Sequence, residues 1–252
     1  APGVTPTAAA ICPGGIQAIT ATPPVGNPTL INENFNTLAV GALPAGWTQS
    51  IVTVPASTCT WGAFAGANAG GTANEMRLNL LPSAVAEDGT YSLVTPVLNA
   101  SGLSGVSLTF RDSMSHYSST YVYSINVETS TDNVNWTNRW TVNPVTASTL
   151  AASHTVDLSA LNNTASFYVR FALKGRAFGA FYWFVDNVVI TGTAAPAAVT
   201  WTPVTGLYTN AAATTPYVAG APALTVYASP TATTSYSASV TSTAGCVSST
   251  TS

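Results

Sequence analysis

Charged residues are what this sequence has least of. Only 6% of its 252 residues are Asp, Glu, Lys or Arg, against roughly 25% in an average soluble domain. A single lysine is present, and the net charge of −3 provides neither a basic patch for nucleic acid nor a polybasic stretch for anionic lipid. A nearly uncharged surface also resists self-association poorly, which favours assembly or a glycan-covered surface. The alternative is a secreted protein that Thr, Ser and Asn keep soluble.

Long hydrophobic runs are also missing. No apolar stretch approaches the ~18 residues that a membrane helix needs. The longest, residues 177–190, is interrupted by Gly179 and Asp186, and its aromatic and β-branched residues favour a strand. No signal segment is visible, but a secreted protein would have lost its signal. We therefore expect no membrane insertion and an extracellular or cell-surface location.

Short alternating segments run through the whole chain instead. Apolar and polar residues alternate over 106–110, 121–129, 167–173 and 185–190, and Gly, Pro, Asn and Asp lie between such segments. Helical periodicity is nearly absent. Many short strands with regular turns predict an all-β protein built as a sandwich or barrel.

Composition also separates the middle of the chain from its ends. Residues 30–192 contain every acidic residue, every basic residue and both histidines, whereas residues 1–29 and 193–252 carry no charged side chain. This shift predicts two domains.

The two uncharged ends carry four short motifs: Cys-x-Gly-Gly at 12–15, Trp-x-Pro at 201–203, Thr-Thr-x-Tyr at 233–236 and Gly-Cys at 245–246. In this order the motifs resemble one immunoglobulin-like repeat of large Bacteroidetes-type surface proteins. We infer that the middle domain, 30–192, is inserted into a loop of this smaller Ig-like β-sandwich, as surface loops tolerate. A plain series of arm, middle domain and small C-terminal domain is the alternative.

The Ig-like resemblance also implies a disulfide between Cys12 and Cys246, which requires an oxidising compartment. Two buried thiols are the alternative. Cys59 is then left over, either as a small buried side chain or as an intermolecular cross-link.

The middle domain opens with Asn-Phe-Asn at 34–36 and Leu-Pro-Ala-Gly-Trp at 43–47. Six further motif segments follow at 92–102, 106–113, 125–137, 154–161, 167–173 and 181–192. In this order they resemble the motifs of the MAM-like jelly rolls, a group that includes the cleaved-adhesin domains of gingipain-type proteins. The resemblance implies a two-sheet jelly-roll β-sandwich that serves as a binding or spacer module.

Jelly rolls of this kind often tie the first strand to the last with a structural calcium ion. Glu33, and Asp186 with Asn187, occupy positions that resemble its ligands, and calcium takes such carboxylate and carbonyl oxygens. A hydrogen-bonded Asp and a solvent-facing Glu are the alternative. We expect this calcium and no other cofactor.

No residues form a recognisable catalytic motif. His116 lies near Asp112 and Ser113 in the sequence, but no Gly-x-Ser-x-Gly turn accompanies them. Nine acidic residues scattered over β-structure give no reason to propose the facing carboxylates of glycoside hydrolysis. The sequence predicts a protein that is not an enzyme.

Aromatic residues are the strongest binding candidates, since their flat faces stack on sugar rings. Trp47 and Phe110 are expected in the core. In residues 181–184 both faces of the strand are aromatic, so one face points toward solvent, a ligand or a partner. The candidates for ligand or partner binding are Phe181, Tyr182, Trp183, Tyr121 and Trp140.

These observations favour an adhesin or a fibre subunit that assembles through its terminal strands by strand addition. Its partners would be copies of itself or neighbouring repeats. A carbohydrate-binding module with glycan partners is the alternative.

Overall fold

The chain folds almost entirely into antiparallel strands. The computed structural model describes residues 3–5, 14–23, 26–53, 58–81, 88–241 and 247–251. In these residues the only helices are two single 3-10 turns, Ser159–Leu161 and Ala177–Gly179, so none is long enough to cross a membrane. The predicted all-β class is confirmed.

The strands, in chain order, are β1 (Gly3–Thr5), β2 (Gln17–Thr22), β3 (Thr29–Glu33), β4 (Thr48–Thr53), β5 (Thr60–Phe64), β6 (Glu75–Asn79), β7 (Gly89–Val94), β8 (Leu103–His116), β9 (Tyr123–Ser130), β10 (Thr137–Val142), β11 (Ala152–Asp157), β12 (Tyr168–Gly175), β13 (Ala180–Ala194), β14 (Val199–Thr202), β15 (Leu207–Tyr208), β16 (Thr225–Ala228), β17 (Ser237–Thr241) and β18 (Val247–Thr251). They belong to two compact units. The larger is continuous, Asn27–Thr193, and the smaller combines Ala1–Gly26 with Ala194–Ser252.

The larger unit is a sandwich of two antiparallel sheets. The five-strand sheet has the order β10-β9-β12-β7-β4, and the six-strand sheet has the order β11-β8-β13-β6-β5 with β3 also paired to β13. Alternate residues of both sheets fill the space between them, as side-chain alternation along a strand requires. Trp47 and Phe110 lie in this core, 6% and 1% exposed, as the sequence predicts.

Cys59 belongs to the same core. It is 4% exposed, and its Sγ donates a hydrogen bond to the Leu80 carbonyl oxygen at 3.7 Å. The burial fits a small core side chain and leaves no accessible thiol for an intermolecular cross-link. Cys12 and Cys246, the predicted disulfide pair, lie outside the described residues.

The smaller unit contains the sheets β1-β2-β16-β15 and β14-β17-β18. Strand β2 pairs with β16, which places Ile19 opposite Val226 and joins distant parts of the chain. The indole of Trp201 is fully buried and donates through Nε1 to the Ala223 carbonyl oxygen at 2.8 Å. Tyr236, also buried, donates through its hydroxyl to the Thr205 carbonyl oxygen at 2.9 Å. Two residues of the Ig-like motifs are therefore core residues, and the Ig-like assignment itself stays a prediction.

Candidate functional site

Side-chain alternation along β13 determines which of its residues lie on the outer face of the six-strand sheet. Trp183 and Val185 are fully buried and point into the core. Tyr182 and Phe184 therefore lie on the outer face, where the pairing of β13 with β6 puts Arg77 opposite Phe184. Two aromatic rings and a guanidinium thus share the middle of this face.

These rings continue into a longer line that we call the aromatic stripe. Consecutive ring centroids along it lie 4.9 to 6.5 Å apart. In order, its members are Tyr121, Phe178, Tyr117, Phe181, Tyr182, Phe184 and Phe64. Tyr117 and Phe178 are the most exposed, at 55% and 40%. Tilted and edge-to-face contacts at such distances are favourable for aromatic pairs.

Backbone hydrogen bonds hold the exposed end of the stripe together. The amides of Tyr117 and Ser118 donate to the Gly179 carbonyl oxygen at 2.7 and 3.1 Å. This contact fixes the segment after β8 against the 3-10 turn that contains Phe178. A Cβ at Gly179 would come within 2.5 Å of the Tyr121 carbonyl oxygen, so only glycine permits this approach.

A cleft of about 470 Å³ opens beside the other end of the stripe. Phe64, Tyr182 and Phe184 supply its aromatic wall. Its hydroxyl-bearing residues are Ser113, Ser115, Ser148 and Thr149. Leu150, at the rim, is 90% exposed. Apolar rings with a few polar groups are the usual lining of a small-molecule site.

Arg77 stacks on two rings of this aromatic wall. Its Cζ lies 4.0 Å from the ring centroid of Phe64 and 5.1 Å from that of Tyr182, which are cation–π distances. At the exposed end, the Cζ of Arg176 lies 5.1 Å from the ring centroid of Tyr121. Each end of the aromatic stripe therefore carries a stacked guanidinium.

The structure separates the predicted binding residues into three environments. Phe181, Tyr182 and Tyr121 are half-buried members of the aromatic stripe, and their role in binding stays a prediction. Trp183 is fully buried, so its prediction as a ligand platform is wrong: its neighbours on the strand, not Trp183, occupy the outer face. Trp140 lies apart from the stripe, with its ring centroid 5.4 Å from that of Phe110 in the core.

The sequence analysis did not identify three residues that belong to the aromatic stripe or contact it. Phe64 alternates with Trp61 and Ala63, but alternation does not say which face is inward. Phe178 lies in a 3-10 turn with no periodic signal. Arg77 reaches the stripe only through the pairing of β6 with β13, two segments far apart in the chain.

The predicted calcium ligands lie on the paired strands β3 and β13 of the six-strand sheet, and the Glu33 carboxylate accepts a hydrogen bond of 2.8 Å from the Phe35 amide. Pairing of β3 with β13 puts Glu33 opposite Val188, next to Asp186 and Asn187 on the adjoining strand. Asp186 is fully buried; its Oδ1 accepts a hydrogen bond of 2.7 Å from the Asn187 amide, while Oδ2 has no hydrogen-bond partner among the described residues. Burial raises the pKa of Asp186 to about 6, and the nearby charge of Glu75 adds to the rise.

The loop that begins at Gly71 joins this carboxylate to a group of backbone and amide oxygens around Asn36. A Cβ at Gly71 would overlap Asp186 Oδ2, so the loop backbone lies directly against the carboxylate. One terminal atom of the Asn36 amide lies 2.8 Å from the Asn34 carbonyl oxygen and 3.1 and 3.3 Å from those of Thr72 and Asn74. If this atom is the amide nitrogen, it donates hydrogen bonds to these carbonyl oxygens. If it is the amide oxygen, it can bind a cation together with them.

The donor set fits calcium. We call the loop 71–74, the segment 34–36 and Asp186 the cation cradle. Calcium takes carboxylate, amide and carbonyl oxygens together, and the cradle contains all three kinds with one buried carboxylate oxygen that lacks a partner. Among the described residues no three His, Cys, Asp or Glu side chains come together, so carbonyl and amide oxygens would supply most ligands. The ion would neutralise Asp186 and hold β3 and the loop against β13.

The titratable groups considered for catalysis form two separate networks. Asp112 contacts His154 rather than His116: its Oδ1 lies 2.8 Å from His154 Nε2. His116 has Tyr123 Oη 2.8 Å from Nδ1 and Ser119 Oγ 3.1 Å from Nε2, which superficially matches a serine, a base and an orienting group.

The donor and acceptor roles in the His116 network argue against Ser119 as a nucleophile. Ser119 Oγ donates to the Thr146 carbonyl oxygen at 3.3 Å, so it accepts from His116 Nε2. Burial raises the pKa of Tyr123, which keeps its phenol protonated and able to donate to His116 Nδ1. His116 Nε2 therefore donates a hydrogen bond to Ser119 Oγ, whereas a general base would accept one from the serine hydroxyl.

No protein-family model and no curated protein matches this chain. Similar solved structures include the K3 and K1 cleaved adhesin domains of Lys-gingipain from Porphyromonas gingivalis W83. The K3 domain is 21% identical, with a TM-score of 0.44 over 66% of this chain and 99% of that one. The K1 domain is 18% identical, with a TM-score of 0.45 over 64% and 96%. The family 11 carbohydrate-binding module of a Clostridium thermocellum cellulase is 14% identical, with a TM-score of 0.42 over 67% and 96%.

Proposed function

We propose that this chain is an extracellular, non-catalytic adhesin module that binds saccharides through the aromatic stripe and the adjoining cleft. The observation that carries the proposal is the run of seven rings in contact, of which Phe64, Tyr182 and Phe184 lie on the outer face of the six-strand sheet. Tyr117 and Phe178 are exposed, four of the other rings are half-buried and Phe184 is buried, and accessible apolar rings that lie together mark an interaction surface.

The chemistry of the stripe and cleft suits a sugar. A pyranose ring has one apolar face of C–H groups, which packs on a flat aromatic ring, and hydroxyls at its edge. Tyr182 and Phe184 offer the flat rings, while Ser115 and Ser148 offer hydroxyls across the same cleft. This pairing of rings with hydroxyls fits an amphipathic ligand better than a purely apolar one.

We also propose a structural calcium ion in the cation cradle. The segment that follows β5 contributes Asn68 to the cleft wall and Gly71 to the cradle. Glu75 anchors this segment, because its Oε1 accepts from the Asn68 amide at 2.9 Å and its Oε2 from the Ala69 amide at 2.7 Å. The ion would fix the shape of the cleft wall and take no part in any reaction.

The proposal is tested by titrating the full chain with a panel of oligosaccharides in a calorimeter. The variants are Tyr182→Ala and Tyr117→Ala in the stripe. Each is expected to weaken binding about tenfold, because covering one aromatic face contributes roughly 1.4 kcal/mol.

The matched control is Trp136→Ala. Trp136 is a half-buried aromatic residue of the β9–β10 turn, stacked at 4.2 Å on Arg170 of the five-strand sheet. It is expected to bind saccharide as the unmodified chain does. Loss of binding in this control with normal binding in both stripe variants would move the site to the other sheet and contradict the proposal.

Assembly into a fibre through the terminal strands is a second candidate. Strands β1 and β18 lie at the edges of their sheets in the smaller unit. An edge strand exposes N–H and C=O groups that can pair with a strand of another copy. Electron microscopy of the concentrated protein tests this: ordered filaments support it, and monodisperse particles at all concentrations contradict it.

A further inference from the structure

We infer that the saccharide bound at the aromatic stripe is acidic, bearing carboxylate or sulfate groups, and that Arg77 determines this specificity. The inference rests on the proposed saccharide-binding function and names its ligand class. It follows from how the few charges of this chain are distributed on the outer face of the six-strand sheet.

Arg77 is held in place without an anionic partner. Its guanidinium stacks at 4.0 Å on the Phe64 ring, and a guanidinium that stacks by its face keeps its N–H edges for hydrogen bonds in its own plane. Eight of the nine acidic residues, all except Glu87, are described, and none of the eight forms an ion pair with Arg77. No hydrogen bond joins it to another described side chain either.

The two acidic side chains beside the stripe are covered, whereas Asp157, on the edge strand β11 of the same sheet, is exposed. Glu75 and Asp186 are both 0% exposed, and the carboxylate of Glu75 is already occupied by hydrogen bonds from Asn68 and Ala69. They therefore project no accessible carboxylate toward the stripe.

The cations of the same face are accessible. Arg111 on β8 shares this face, and its Nε and Nη1 donate to neutral oxygens of Ala69 and Ser153 at 3.0 and 2.9 Å. Arg176, at the exposed end of the stripe, is itself exposed. Arg77 and Arg111, two of the chain's six basic residues, thus lie on this face, and Arg176 lies at the end of the stripe, although the chain as a whole has a net charge of −3. Cations beside aromatic rings, with no accessible carboxylate next to them, complement an anionic ligand.

A neutral sugar would use this site poorly. Covering Arg77 with an uncharged ring would remove water from the guanidinium and give only neutral acceptors in exchange. A carboxylate or sulfate beside the stacked ring instead accepts two N–H groups at once, the strongest geometry for a guanidinium. Arg77 then selects the acid, while Tyr182 and Phe184 bind the ring of the sugar.

The test uses two matched pairs of probes and the full chain. Tetragalacturonate is compared with its methyl ester, and a sulfated carrageenan tetrasaccharide with its desulfated form. Calorimetric titrations are run on the unmodified chain and on Arg77→Gln, Arg77→Lys and Arg139→Gln. The last is a control on the five-strand sheet, where Arg139 Nε donates to Thr129 Oγ1 at 2.8 Å.

The unmodified chain is expected to bind at least one acid about tenfold more tightly than its neutral counterpart, and added salt should weaken only the acid. Arg77→Gln should abolish that difference, Arg77→Lys should keep part of it, and Arg139→Gln should keep all of it. The unfolding temperatures of the Arg77 variants show whether a loss of acid binding comes from misfolding. If Arg77→Gln is misfolded, the binding difference measured for Arg77→Lys decides the test. Which acid binds shows whether the anionic group is a carboxylate or a sulfate.

Equal binding of acid and neutral partner, or equal weakening of both by Arg77→Gln, would overturn the inference. If Tyr182→Ala still weakened binding about tenfold in that case, the proposed function would stand with a neutral ligand. Failure of all four probes to bind would overturn both.

Discussion

The indole Nε1 of Trp183 donates a hydrogen bond of 3.0 Å to Asp112 Oδ2 inside the sandwich of the larger unit. The other oxygen of Asp112 lies 2.8 Å from His154 Nε2. A buried indole needs a partner for its N–H group, and here a buried carboxylate on β8 provides one across the strand pair. Trp183 is therefore tied to the core by a polar contact as well as by packing, while the next ring along the strand, Tyr182, lies on the outer face.

Truncation of these two adjacent rings should have opposite consequences. Trp183→Ala is expected to lower the free energy of unfolding by about 3–5 kcal/mol, because it leaves a cavity and removes the partner of Asp112. Tyr182→Ala should cost about 1 kcal/mol, because its ring is only half-buried, yet it should weaken saccharide binding. Urea unfolding followed by tryptophan fluorescence and circular dichroism measures both. Similar losses of stability in the two variants would contradict the assignment of faces.

A second prediction concerns the buried carboxylate of the five-strand sheet. Glu128, with its side chain 4% exposed, lies 2.6 Å from Arg170 Nη2 and 2.6 Å from Lys174 Nζ. Glu128→Gln leaves both cations without a counter-charge and should lower the free energy of unfolding by about 2–4 kcal/mol. Lys174→Met should cost less, because the Lys174 side chain is 37% exposed and Arg170 remains. Urea denaturation of both variants checks the order, and a larger loss in Lys174→Met would refute it.

Local sequence patterns were enough to predict the strands and the sandwich, because side-chain alternation can be recognised from residues that are adjacent in the sequence. They were not enough to assign the faces of β13. Trp183 and Tyr182 are both aromatic, and only the packing of two whole sheets decides which one is inside. Phe178 joins the aromatic stripe from a turn that has no period at all.

The cation cradle contains candidate ligands that a sequence pattern cannot identify. Asp186, Asn187 and Glu33 were predicted as ligands because their positions resemble those of ligands in MAM-like jelly rolls, and their role in binding calcium stays a prediction. The carbonyl oxygens of Asn34 and Thr72 were not, because every residue has one and only the fold selects which of them face the same point. Gly71 is likewise informative only once its contact with Asp186 is known.

Calcium should stabilise the protein through the cradle. At a concentration about 100 times the dissociation constant, one bound ion adds about 2.7 kcal/mol, or roughly 5–10 °C in unfolding temperature. Asp186→Asn and Gly71→Ala should abolish this shift, because the first removes the carboxylate and the second fills the space beside it. Gly26→Ala, whose added Cβ would have no atom within 4 Å, is the matched control. Scanning calorimetry in calcium and in EDTA measures the shifts, and an unchanged shift in Asp186→Asn would rule out the cradle.

Without the ion, pH should act on stability in the direction set by Asp186. Its pKa of about 6 in the folded chain lies above its ordinary value of 3.8, so the folded state binds more protons between these two pH values. The free energy of unfolding should then fall as pH rises from about 4 to about 6 and level off above. Calcium should reverse this dependence, since it binds the carboxylate and displaces the proton. Urea titrations in EDTA at several pH values, with Asp186→Asn as the reference, test the sign; identical pH profiles for the two proteins would show that Asp186 titrates normally.

The most direct test of the central claim is a map of where a saccharide touches the protein. We would titrate the isotopically labelled chain with the tightest-binding oligosaccharide of the panel and follow its amide and aromatic NMR signals. Saccharide binding at the aromatic stripe predicts that the largest shifts fall on Tyr117, Phe178 and Tyr182, with Trp136 unchanged. Shifts concentrated around Trp136 and Arg170, or no shift with any saccharide of the panel, would contradict the account.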